Sequence, residues 1–367
     1  MTSASHIVSA AARVVIPATA AVPNESSRVS LGEGAFWDSE SGSLLWIDIL
    51  GKRIFVTSRL PLASSADASK WAPAPTSDQK QSDATSSGDS KSAWWLGSID
   101  TAALDLGYVG TVVSTINGHL VAGVQTGVVL FELEHPLPRG SKTRSGDSSF
   151  SASPSTIEGE VVRYPISLIK VHVLASPEKM QIGQRFNDGK CDPAGRLWVG
   201  SMGISDVDRT RSGSLYSVAL HARHPESQPP SLQAWSGSVA DVHVIRVTPT
   251  STSVTSLCTR YLPHISISNG IVWSKDGSTM FYVDSPDKCV YAFPFDVRSG
   301  EMRVTPAILQ LSSTGGGAHS ASTASSSSAA PPATTQSWDR EAHVLFRTPD
   351  ELGVPDGITI DSAGRLW

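Results

Sequence analysis

Arg185–Met202, RFNDGKCDPAGRLWVGSM, reads as a β-strand, a tight polar turn and a second strand. Three further stretches fall into register with it once each is aligned on a leading polar residue. They are Leu31–Asp48, LGEGAFWDSESGSLLWID, Ile267–Ser285, ISNGIVWSKDGSTMFYVDS, and Val354–Trp367, VPDGITIDSAGRLW. The leading residues are Glu33, Asn187, Asn269 and Asp356. One or two places on comes Gly34, Gly189, Gly270 or Gly357, and four places on comes Trp37, Cys191, Trp273 or Ile360. The fifth place holds Asp38, Asp192, Ser274 or Asp361, and a turn glycine follows at Gly42, Gly195, Gly277 and Gly364.

A lone hairpin cannot bury its own apolar face, so hairpins that recur in a chain pack on one another. Gly110–Val124, GTVVSTINGHLVAGV, fits the same pattern with its turn at Asn117 and Gly118, but leads with no acid or amide. Amphipathic helices of about ten or more residues are hard to find, which excludes doubly wound folds and predicts an all-β protein. Radial repetition of small sheets is the β-propeller solution. The repeats are unevenly spaced because low-complexity insertions separate them, near 63–92, 139–155, 221–230 and 312–337. The last contains SASTASSSSAAPPATT, too poor in apolar area to offset its ordering entropy. Residues 1–24 read as an N-terminal extension, and 25–367 as the propeller.

With 29 Lys and Arg against 34 Asp and Glu, the net charge of -5 offers no basic face for nucleic acid or anionic membrane. Three cysteines without CxxC spacing exclude a disulfide scaffold and point to a reducing, cytoplasmic setting. No apolar run approaches the length of a spanning helix. The expected partner is a small molecule.

In a propeller, equivalent positions on different blades lie at equivalent places around one axis. Glu33, Asn187, Asn269 and Asp356 would then converge as two carboxylates and two carboxamides. Such a hard, all-oxygen set suits one divalent ion, Ca2+, Mg2+ or Mn2+, with Zn2+ less favoured for want of His or Cys. Taken singly, Asn-Gly and Asp-Gly are ordinary turn dipeptides. Their repetition in register argues otherwise, because a separate turn follows each one and Glu33 is a poor turn former.

These motifs resemble the family of regucalcin (senescence marker protein) and the gluconolactonases, in the family's order and over essentially all the chain outside the insertions. The resemblance implies a six-bladed propeller that hydrolyses sugar lactones with one divalent metal. It assigns Glu33, Asn269 and Asp356 to the metal, Asn187 to metal or substrate, and Arg185 to the sugar. In the implied chemistry the ion polarises the lactone carbonyl and lowers the pKa of a bound water. Asp356 is the candidate base for that water, Arg185 orients the substrate, and Asp188 holds the loop behind the ligands. The family's acidic substrate contact after a GTM-like segment is missing from GSM, leaving Asp206 as its nearest substitute. Relatives also continue past the position of Trp367, so the last blades read as C-terminally truncated. Two alternatives stay open: an aryl ester or phosphotriester hydrolase on the same site, and a calcium-binding propeller without turnover.

Overall fold

The structure, a computed structural model, describes residues 29–58, 94–138, 161–177, 183–205, 210–222, 243–247, 254–307 and 337–367. The expected extension 1–24 and the four insertions lie outside these residues, apart from 221, 222 and 337. Asp206 lies outside them too. Regular structure among the described residues is strand, with short 3-10 turns at Ser285–Asp287, Glu341–His343 and Asp350–Leu352. No helix among them is long and apolar enough to cross a membrane.

The chain forms two compact units, Met1–Val121 with Phe131–Val171, and Ala122–Leu130 with His172–Trp367. In the first, β1 (Gly32–Asp38), β2 (Ser43–Asp48), β3 (Arg53–Ser58) and β4 (Trp94–Asp100) run up and down as an antiparallel sheet. The next strands are β5 (Val109–Ser114), β6 (Leu120–Val124), β7 (Gly127–Leu133), β8 (Val161–Pro165) and β9 (Leu168–Ala175). Strand β8 joins the first sheet parallel to β4, and the second sheet has the order β5-β6-β7-β9. Its first two strands are the Gly110–Val124 hairpin expected as a blade without a ligand.

The second unit contains β10 (Gln184–Cys191), β11 (Leu197–Gly203), β12 (Gly213–Ala222), β13 (His243–Val247) and β14 (Val254–Ile265), in the sheet order β10-β11-β12-β14-β13. It also contains β15 (Ser268–Trp273), β16 (Thr279–Asp284), β17 (Cys289–Asp296), β18 (Glu301–Met302) and β19 (Val344–Arg347). The first four of these form a sheet in chain order, and β19 pairs with β17. The all-β reading therefore holds, and each sheet begins with three consecutive strands in chain order, as in a propeller blade. The six blades expected from the resemblance become four sheets among the described residues, followed by a lone bridge between Ile360 and Leu366 in the last repeat.

Strand alternation decides which side chains fill the core. On β17, CVYAFPFD, Cys289, Tyr291, Phe293 and Phe295 are buried while the residues between them are partly or fully exposed. Those four join Trp198, Trp273, Met280, Tyr282 and Trp338 in one apolar cluster. Trp198 sits edge-on to Phe295 at 5.6 Å and Tyr291 edge-on to Trp338 at 5.1 Å, the offset geometry that aromatic quadrupoles favour. Burial of each such ring contributes about 1.5–3 kcal/mol. In the first unit Trp46 and Phe55 stack at 4.1 Å.

Candidate functional site

Each hairpin with a leading polar residue in β1, β10 or β15 has the same fault in its strand pairing. On β10, Phe186 pairs with Ser201 and Gly189 with Val199, so Asn187 and Asp188 together face Gly200. On β15, Ser268 pairs with Asp284 and Ile271 with Tyr282, so Asn269 and Gly270 face Val283. On β1, Glu33 pairs with Ile47 and Phe36 with Leu45, leaving Gly34 and Ala35 against Trp46. Two residues against one is a β-bulge, which bends the strand and re-aims its side chains. In two hairpins the asparagine lies inside the bulge. In the first, the bulge sits one place nearer the turn, so Glu33 flanks it from a paired and exposed position. Gly34 takes the left-handed conformation there, with φ 61°.

Within the second unit the bulges bring four predicted residues together. Arg185 Nη1 donates to Asn187 Oδ1 at 2.6 Å and to the Phe186 carbonyl at 3.0 Å. Asn187 Nδ2 donates to Asn269 Oδ1 at 2.8 Å and to the Ser268 carbonyl at 2.7 Å. Asn269 Nδ2 donates to Ser285 Oγ at 2.7 Å, and Ser285 Oγ donates to the Pro355 carbonyl at 2.6 Å. Next along the chain, the Asp356 carbonyl accepts from the Gly270 N–H at 3.1 Å, while the Asp356 side chain is exposed. Arg185 and Asn187 are 8% and 7% exposed, so their polar atoms depend on these partners. Glu33 belongs to the first unit.

Electrostatics mark the same place. Burial pushes the Asp188 carboxyl above the ordinary carboxylate range, and the nearby Asp356 carboxylate adds to that push. The Gly189 N–H, which donates to Asp188 Oδ1 at 2.8 Å, and the Lys190 ammonium oppose it. Burial in turn draws the Lys190 pKa down, against the attraction of Asp188. Lys190 Nζ donates to the Ile358 carbonyl at 3.4 Å, a second tie to the segment that carries Asp356. Among the described residues no three His, Cys, Asp or Glu side chains come together, so any cation here depends on carboxamide as well as carboxylate oxygen. Burial pushes the Cys191 thiol up to about 12, which leaves it a packing group.

Sequence reasoning passed over several residues that shape the site. Asp284 ends β16 and accepts from the Ser266 N–H at 3.1 Å and the Ile267 N–H at 2.9 Å, just ahead of Asn269. Asp48 ends β2 and accepts from the Ser30 and Leu31 N–H groups at 3.0 and 2.9 Å, just ahead of Glu33. The shared signal was visible in WID and YVD, where an acid closes a strand otherwise rich in apolar residues. Asp192 and Asp361, already marked by the repeat as its fifth place, build identical turns. Each accepts backbone N–H bonds from two and four residues on, then side-chain bonds from an arginine Nε and a tryptophan Nε1. Gly200, facing the β10 bulge, has no space for a Cβ, which would overlap Ser268 Oγ.

Residues 31–367 match the SMP-30/Gluconolactonase/LRE-like region. YvrE of Bacillus subtilis, named provisionally as a sugar lactone lactonase, is 21% identical over 347 residues, 95% of this chain and 70% of that protein. Regucalcin of Sus scrofa is 27% identical over 198 residues, 53% of this chain and 42% of its own length. An uncharacterized protein of Sulfolobus acidocaldarius is 26% identical over 183 residues, 50% of this chain and 40% of its own. The match thus spans under half the length of two of these relatives. A solved luciferin-regenerating enzyme superposes with a TM-score of 0.46 at 18% identity, over 92% of this chain and 68% of that one. On the match across residues 31–367, the chain belongs to the SMP-30/Gluconolactonase/LRE-like family.

Proposed function

We propose that this chain hydrolyses a sugar lactone at a site built on Arg185, Asn187, Asn269 and Asp356, with one divalent cation. The observation that carries the reading is the oriented carboxamide pair, in which Asn187 fixes Asn269 beside the segment bearing Asp356. Family membership supports lactone hydrolysis, and the name sugar lactone lactonase carried by one relative agrees with it.

The donor chemistry fits a hard cation. Asn269 Oδ1 receives one hydrogen bond and keeps a second lone pair, and the Asp356 carboxylate is exposed. Burial raises the Asp188 carboxyl, with a smaller push from the nearby Asp356 carboxylate, which places two acids beside the proposed cation. Asn269 and Asp356 are therefore assigned to the ion, and Glu33 joins them through its repeat position and the family resemblance alone. Asn187 Oδ1 already faces the Arg185 guanidinium, a poor neighbour for a cation, so substrate positioning is the better of its two expected roles. A bound divalent ion of the Ca2+, Mg2+, Mn2+ or Zn2+ type supplies Lewis acidity for the lactone carbonyl and an acidified water.

The chain's own groups do the rest. Arg185 orients the substrate's oxygens by donating hydrogen bonds, while Asn187, whose two N–H groups are held by Ser268 and Asn269, accepts from a substrate hydroxyl at Oδ1. Asp356 takes the proton from the attacking water as the new C–O bond forms, and returns it to the ring oxygen as the lactone C–O bond breaks. Asp188, held by the Gly189 N–H, keeps the bulge loop in place behind them. The test is hydrolysis of gluconolactone and related lactones with and without chelator. Metal-dependent turnover that Asp356→Ala abolishes is the expected result. Absence of such turnover, or an Asp356→Ala variant as active as the parent, overturns the proposal.

A further inference from the structure

Ser285 lies outside every leading position of the repeat, yet it closes the hydrogen-bond chain that starts at Arg185. The direction of that chain is forced. A guanidinium only donates, so Asn187 must turn its oxygen toward Arg185 and its NH2 toward Asn269. Asn269 must then offer Oδ1 to Asn187, and its NH2 points at Ser285 Oγ. Having received that N–H, the Ser285 hydroxyl sends its own proton to the Pro355 carbonyl, 2.6 Å away. A flipped Asn269 would set NH2 against NH2 at Asn187, and its C=O could bond Ser285 only if the hydroxyl gave up the Pro355 carbonyl.

We propose that Ser285 is a positioning residue that fixes Asn269 with its carbonyl oxygen toward the cation side, and ties that orientation to the Pro355–Asp356 segment. Ser285 is 4% exposed and sits in the 3-10 turn that directly follows β16. It can therefore anchor both groups from one rigid place without touching substrate. The proposal rests on the reading of Asn269 as a ligand, and it deepens that reading.

The test is a double-mutant cycle on the chain, read as Mn2+ affinity by isothermal titration calorimetry. Ser285→Ala removes the acceptor for Asn269 Nδ2, and a lost hydrogen bond of this kind costs roughly three- to tenfold in affinity. In an Asn269→Asp background both side-chain termini are oxygens, so no amide orientation remains to be set. There Ser285→Ala should cost less than about twofold. Equal losses in both backgrounds would mean that Ser285 acts by packing or by the Pro355 tether alone, and the proposal falls. Ser285→Cys keeps the side-chain shape, with a somewhat larger atom that is a weaker donor and acceptor. It should give an intermediate loss, so the cycle can be completed even if Ser285→Ala folds poorly. Should Asn269→Ala leave Mn2+ affinity intact, the ligand assignment fails, which is a separate outcome from failure of the cycle.

Discussion

Replacing Gly270 by alanine puts one methyl group where β15 meets the segment that bears Asp356. A Cβ built there falls 2.6 Å from the Ile358 backbone N and 2.5 Å from its Cγ2, whereas ordinary contact begins near 3.4 Å. Backbone cannot swing aside as a side-chain end can, so residues around Ile358 must retreat by about 0.8 Å, the difference between those distances. That retreat strains the 3.1 Å bond from Gly270 N–H to the Asp356 carbonyl and moves Asp356 away from Asn269. Overpacking costs about 1–3 kcal/mol and the weakened bond about 1 kcal/mol, so the expected loss is about 2–4 kcal/mol. For a unit of this size that is a fall in Tm of roughly 5–15 °C. A displacement near 1 Å at a reacting group can lower turnover by roughly a hundredfold. Gly357→Ala is the internal control, since a Cβ there meets nothing within 4 Å and should leave Tm nearly unchanged. Calorimetric unfolding and lactone kinetics on both variants decide the matter. A Gly270→Ala protein with parental Tm and kcat, or one no worse than Gly357→Ala, refutes the reasoning.

Other expectations follow from single residues. Asp284→Ala strips the acceptor from the Ser266 and Ile267 N–H groups and leaves the Arg340 guanidinium without one of its partners. It should lower stability by about 3–5 kcal/mol in chemical denaturation, and a loss under 1 kcal/mol would contradict the assigned role. Arg185→Lys replaces the planar guanidinium, whose Nη1 serves both Asn187 Oδ1 and the Phe186 carbonyl, with a tetrahedral ammonium on a differently shaped stem. Steady-state kinetics should show kcat/KM reduced roughly tenfold, and an unaltered value argues against it. His343 accepts the Thr305 N–H on Nε2 at 2.9 Å while Nδ1 faces the Ala292 carbonyl at 3.3 Å, so the neutral ring is the one held. Burial lowers its pKa from the ordinary 6.5, against the Ala292 carbonyl and Asp339. The unfolded chain then binds the proton more readily, so this stabilisation is complete above the unfolded pKa and lost as pH falls below it. Tm should drop more steeply below about pH 6.5 in the parent than in His343→Gln, and parallel curves refute it.

The all-β character and the four hairpins were legible because strand alternation and turn residues repeat in register, as RLW and AGRLW show at a glance. The equivalence of Asn187 and Asn269 was legible for the same reason, whereas Arg185 came from the family resemblance. The bulges were not. A bulge changes how many residues face one partner, and a single strand read in isolation carries no record of its partner. Asp48 and Asp284 went unread for a related reason: an acid ending an apolar strand looks like a boundary, whereas here it caps the loop that precedes the opposite strand. Ser285 was invisible because its function depends on two partners at sequence distances of 16 and 70 residues. The count of sheets among the described residues came from the structure, since resemblance alone suggested six.

The self-contained turns at Asp192 and Asp361 bear on how this chain tolerates change. Cys191 pairs with Leu197 and Trp273 with Met280, so the hairpins that present Asn187 and Asn269 have turns of nearly fixed length. The long low-complexity stretches fall instead after β3, β7, β12 and β18, in connections that hold none of the candidate ligands. Extra sequence there leaves the parity of the presenting strands untouched. A single residue added between Asp192 and Arg196 would do the opposite, because a one-residue slip turns every side chain of a strand to the other face. Natural or engineered insertions should therefore be accepted by the tens of residues in one class of connection and refused one at a time in the other.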